Sequence, residues 1–139
     1  MASVKVKSGG SLKGRKGNPM EYDTAYSLKE GGYSVERMDD NTAGIDLIAW
    51  NEDAVRYYLE CKNRQGLSWN ALEKIYKKTS DTMEGLDIKA IPLVVFKSNR
   101  QPVLVMSWDA YFYGMVITPF YEYFKCDWSK RPKGYKLWR

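Results

Sequence analysis

The sequence predicts an α/β domain: a mixed β-sheet flanked by α-helices. Three observations predict it. Helix-type and strand-type segments interleave along 139 residues, a length that suits one domain. A two-stranded unit from Gly44 to Lys62 alternates apolar and polar residues. A continuous apolar run, Ala90 to Lys97 (AIPLVVFK), has the look of a strand buried on both faces.

Residues 1–17 are rich in Gly, Ser and Lys without apolar periodicity, and are expected to form a flexible basic arm ahead of a single domain over 18–139. Asn18 and Pro19 suit a helix cap and first turn, and Gly31 and Gly32 stop that helix near Glu30. A strand follows over Tyr33 to Met38, then a polar turn over 39–43 containing Asp39 and Asp40, which are expected to be solvated. Gly44 to Trp50 and Ala54 to Lys62 form the next two strands around a turn at 51–53. Ser68 caps a second helix to about Met83, with Trp69, Leu72, Ile75 or Tyr76, Thr79 and Met83 at helical spacing. Strands over Ala90–Lys97 and Gln101–Met106 follow, then a short helix over Trp108 to Gly114 and an aromatic, basic segment without an assigned element.

Composition narrows the chemistry. The chain has no histidine, which removes histidine-based nucleophilic catalysis and histidine-held metals. Two cysteines, Cys61 and Cys126, do not make a disulfide framework or a four-thiolate site, and alternation turns Cys61 toward the core. Hydrolytic chemistry in this chain must therefore run on carboxylates, lysine, hydroxyls and hard metal ions. With no long apolar run and no signal-like start, the expected compartment is the cytoplasm (a host's, for a phage or viral protein).

Charge is unevenly placed. Residues 1–17 hold Lys5, Lys7, Lys13, Arg15 and Lys16 and no acid. Residues 125–139 hold six bases against Asp127 alone, while 18–124 hold eleven bases and sixteen acids. Basic flanks around an acidic centre suit a polyanion held near a carboxylate cluster, although solubilising tails have the same composition.

The hairpin carries the candidate chemistry. With the turn centred on Glu52, Asp46 lies opposite Tyr58 and Gly44 opposite Glu60, so Asp46, Glu60 and Lys62 share one face. Asp46 and Glu60 are then diagonal neighbours, roughly 7–8 Å apart at Cα. Two carboxylates there can converge on Mg²⁺, and Lys62 adds a positive neighbour. An ordinary solvated sheet face would show the same residues.

Gly44-Ile45-Asp46 followed, thirteen residues later, by Glu60-Cys61-Lys62 resembles the PD-(D/E)xK signature of restriction endonuclease-like nucleases, with Gly44-Ile45 in place of its proline. Arg15, Lys16 and Gly17 before Glu21, then Gly32 to Arg37 (GYSVER), then Ile91 to Lys97 (IPLVVFK), resemble archaeal-type Holliday junction resolvases. This ordered likeness spans about residues 14–108 and fails after Trp108.

The resemblance implies a restriction endonuclease-like fold and a Mg²⁺-dependent endonuclease, with Mn²⁺ able to substitute. It implies a homodimer acting on branched DNA, four-way junctions above flaps, single strands or duplex. Glu21, Asp46 and Glu60 would hold the metal, Lys62 would act on the attacking water and the phosphate, and Thr42 is the nearest match to a contributing hydroxyl. Arg15 and Lys16, with Lys13 beside them, match phosphate-contacting residues. The basic residues Lys130, Arg131 and Lys133 are further candidates for DNA contact. The aromatic residues from Tyr111 to Trp128 suit core or dimer packing ahead of base stacking.

Overall fold

A proline opens the first helix and a pair of glycines closes it in the computed structural model, which describes residues 19–38, 44–86 and 89–138. The expected basic arm with Lys13, Arg15 and Lys16, the Asn18 cap, Asp39, Asp40, Thr42 and the final Arg139 lie outside the described residues. The elements are α1 (Pro19–Glu30), β1 (Ser34–Arg37), β2 (Leu47–Trp50), β3 (Arg56–Asn63), α2 (Trp69–Gly85), β4 (Ile91–Lys97), β5 (Leu104–Asp109), β6 (Gly114–Pro119) and α3 (Phe120–Phe124). Ser68 caps α2 as expected, its hydroxyl accepting the Ala71 N–H at 3.1 Å.

Among the described residues the six strands form one sheet in chain order. Only β3 and β4 run parallel, joined through α2; every other neighbouring pair is antiparallel. The sheet is therefore mixed and flanked by helices, as the sequence predicts. One face packs Leu47, Ala49, Leu59, Cys61, Val95 and Val105 against Met20, Ala25 and Leu28 of α1. The other packs Ile48 and Tyr58 near Met83, and Val94, Phe96 and Met106 near Leu72, beneath α2. Both faces are covered, which is why the central strands carry long apolar runs.

Two expectations need correction. The β2–β3 register pairs Trp50 with Arg56 and Leu47 with Leu59, so opposite residues are two positions further on than a turn centred on Glu52 requires. The cause is Ala54, whose φ of 63° is left-handed; it belongs to the turn, with its N–H bonded to the Asn51 carbonyl. Second, Trp108 to Gly114 is a hairpin end and not a helix. The Asp109 carboxylate accepts the N–H groups of Tyr111 and Phe112, Tyr113 adopts φ 55°, and the β-branched run after Gly114 continues as β6. The aromatic-rich region, expected to serve core or dimer packing, divides. Phe120 and Phe124 are core residues, while Tyr111, Phe112 and Tyr113 stand 72–90% exposed at the hairpin tip.

Residues 125–138 return along the outer side of α1. The Ser27 hydroxyl exchanges hydrogen bonds with the Ser129 backbone, Lys29 Nζ donates to the Leu137 carbonyl, and Tyr26 stacks edge-on with Tyr135. Gly31 allows this approach, since a Cβ there would collide with Cys126. Buried on both sides, α1 hides Glu21, Asp23, Thr24 and Ser27 as well as its apolar residues. No helix among the described residues is long and apolar enough to cross a membrane.

Candidate active site

Asp46 sits where β2 leaves the regular ladder. Its N–H donates to the Leu59 carbonyl at 2.7 Å, and its carboxylate accepts the Cys61 N–H at 2.8 Å. The side chain thus takes over a strand donor that a backbone carbonyl would otherwise satisfy. The approach to Asp46 is fixed from α2: Thr79, fully buried, donates its hydroxyl hydrogen to the Gly44 carbonyl at 2.6 Å. Gly44 adopts φ 84°, a conformation that strains any other residue, and a Cβ there would meet Lys78 tightly, at 3.1 Å. Sequence reasoning placed Thr79 on the core stripe of α2 but missed this anchoring role. A hydroxyl among apolar residues at helical spacing was the available signal.

Alternation along β3 turns Glu60 and Lys62 to the same side as Tyr58, beneath α2, and Cys61 to the α1 side. Asp46 adjoins Leu47, which pairs with Leu59, and its bonds to Leu59 and Cys61 bracket Glu60 on the neighbouring strand. The Asp46 carboxylate acts on Glu60 through its charge and hydrogen bonding, and Lys62 Nζ lies 3.4 Å from Glu60 Oε2. Glu60 is 9% exposed. Burial, and then the charge and hydrogen bond of Asp46, push the Glu60 carboxyl up to about 8, with Lys62 opposing. A hydrogen bond between two carboxyl groups needs a proton, and a cation can take that proton's place.

Glu21 is placed differently. Its carboxylate accepts from Arg37 Nε at 2.9 Å across the α1–β1 contact. Its charge, like those of Asp46 and Glu60, reaches the buried Cys61 thiol, which burial foremost holds well above the usual thiol range. Among the described residues, no three His, Cys, Asp or Glu side chains gather closely enough to hold a metal ion. The structure therefore brings together Asp46, Glu60 and Lys62, and leaves Glu21 with Arg37.

Two carboxylates still fit Mg²⁺, which commonly takes one or two protein carboxylates and fills its other positions with water and phosphate oxygens. The donors here are hard oxygens alone, and Cys61, the nearest soft ligand, faces away. Of the basic residues after Trp128, Lys130 and Lys133 are exposed, whereas Arg131 is a structural contact. Its N–H and guanidinium meet Asp23 Oδ1 at 3.1 and 3.5 Å, and its guanidinium lies over the Tyr22 ring.

No family model and no curated protein matches this chain. Among solved structures the chain is similar to Archaeoglobus fulgidus Hjc, a Holliday junction resolvase from an archaeal hyperthermophile. The identity is 18% and the TM-score 0.48, with 80% of this chain and 89% of that chain covered.

Proposed function

We propose that the chain is a Mg²⁺-dependent, structure-selective DNA endonuclease whose preferred substrate is a four-way junction. One observation carries the nuclease reading: the half-buried Asp46 carboxylate acts on the buried Glu60 carboxyl beside the ammonium of Lys62. Left alone, that pair is an electrostatic liability, and a divalent cation turns it into a binding site. Resemblance of the surrounding sequence to junction resolvases supports the choice of DNA and of a branched substrate.

Bound between Asp46 and Glu60, Mg²⁺ would supply a Lewis acid and an acidified water to phosphodiester hydrolysis. The chain's own residues do the rest. Asp46 is held by the Cys61 N–H and by the Gly44–Thr79 anchor, so its free oxygen keeps a fixed direction. Glu60 is oriented from the centre of a paired strand. Lys62, half-buried, places a positive charge where the phosphate oxygens gain charge, and orients the attacking water. Two symmetric cuts across a junction call for two copies, and a homodimer is part of this proposal.

Incubation of the protein with Mg²⁺ and labelled four-way junction, flap and duplex DNA tests it. Paired symmetric nicks in the junction, lost in Glu60→Gln and in Lys62→Ala, are the expected result. Cleavage of flap or duplex in preference to the junction would reassign the substrate, and undiminished cleavage by Glu60→Gln would remove these residues from the chemistry.

A further inference from the structure

Glu60 lies three residues before the end of β3, and β3 and β4, the parallel strands, finish side by side at Asn63 and Lys97. Just past that end is a cavity of about 510 Å³ that no part of the hydrolytic machinery uses. It has the size of a small-ligand site. Arg64, Lys97 and Lys130 line it, and none of the three has a carboxylate partner among the described residues. The acid in its wall, Asp23, is already bonded to Arg131. Cations that converge without counter-charge repel one another, and an anion is what relieves them.

The remaining lining specifies the anion further. Asn63, Gln65 and Asn99 contribute three primary amides, each able to donate and accept. Trp128 contributes an indole face, fixed because its Nε1–H donates to Thr24 Oγ1 at 3.1 Å. A second hollow of about 300 Å³ shares Lys97 and Trp128 and continues to Tyr121, which is 58% exposed. Asp127 also lines that second hollow, so the excess positive charge is confined to the first. Cations, amides and aromatic faces in a row are the set that holds a phosphate backbone, hydrogen-bonds a base edge and stacks bases. Simple inorganic anions have no use for the amides or the rings, and a paired base hides the edge and face that these groups would meet.

We propose that this trough binds an unpaired stretch of the DNA strand, with phosphates on Arg64, Lys97 and Lys130 and a base on Trp128. The inference rests on the nuclease reading and deepens it. Lys62 and Asn63 are neighbours near the end of β3 but face opposite sides of the sheet, so a strand whose phosphate meets Lys62 reaches the trough by passing over the sheet's end. The trough would then favour DNA whose strands separate beside the cut, which a continuous duplex does not offer.

Binding without cleavage tests this. Fluorescein-labelled hexathymidylate and a labelled blunt duplex are titrated with the full chain in EDTA, and anisotropy is read. Lys97→Glu and Arg64→Glu are expected to weaken hexathymidylate binding by about ten-fold or more, and duplex binding much less. Lys89→Glu, an exposed cation away from the trough, is expected to keep the unaltered affinity for both. Melting temperatures of the three variants confirm that each is folded. Oligonucleotide binding that survives both trough substitutions, or falls by the same factor as duplex binding, overturns the proposal. Because no cleavage is read, failure here leaves the Glu60→Gln result standing, and failure of that result leaves this affinity measurement unaffected.

Discussion

Two sets of acids lie on opposite faces of one sheet and are treated in opposite ways. On α1, Glu21 and Asp23 each meet an arginine from another part of the chain, Arg37 and Arg131. On the hairpin, Glu60 meets another acid, Asp46, with Lys62 at the longer distance of 3.4 Å. The α1 acids are neutralised within the fold and hold elements together. The hairpin acids are brought together against their own repulsion, and the packing of β2, β3 and α2 sustains that contact. A carboxylate matched by arginine is a structural joint, whereas one matched by another carboxylate is satisfied by a shared proton or by a cation.

Substitutions sharpen the contrast, beginning with the largest effect. Asp23→Ala removes the acceptor for both the Arg131 N–H and its guanidinium under a nearly covered helix, and should cost about 2–3 kcal/mol of unfolding free energy in a urea titration. A loss near zero would show that the joint is ornamental. The hairpin acids should respond to pH instead. With metal removed by EDTA, Glu60 keeps its proton in the folded chain up to about 8, while the unfolded chain releases it near 4.5. The folded state therefore binds the extra proton in that window, and stability falls as pH rises through it, levelling above. Glu60→Gln should flatten this part of the profile, measured as the difference between unfolding curves at about pH 5 and about pH 9. A parallel decline in both proteins would show that Glu60 is an ordinary surface-like acid. The smallest response belongs to a third kind of pair, Lys77 and Asp81, exposed one turn apart on α2. Lys77→Ala should leave the melting temperature unchanged.

The division between these regions was half visible in the sequence. Parity along the hairpin is a local property, so the shared face of Asp46, Glu60 and Lys62 followed from alternation alone. The register did not, because it depends on Ala54 adopting a left-handed conformation that alanine seldom takes. The helix starts and stops of α1 and α2 were legible from Pro19, Gly31, Gly32 and Ser68, whose preferences are local. The hairpin between β5 and β6 was hidden because Ser107 and the aromatic residues after it also suit a capped helix. The Asp109 side chain that decides the matter acts only on its own turn. The covering of α1 by residues 125–138 was not legible at all. Its contacts join positions more than a hundred residues apart, and Arg131, counted among DNA-binding bases by its charge, is spent on Asp23.

That covering orders the assembly of the protein in time. α1 is the first described element in chain order, yet the residues that close over its outer side follow every other described element, 108 positions after Asp23 and Lys29. Until they arrive, Asp23 and Ser27 are hydrated and the helix has only its sheet-facing side to hold it. The first described helix is thus completed only once residues 125–138 have been made.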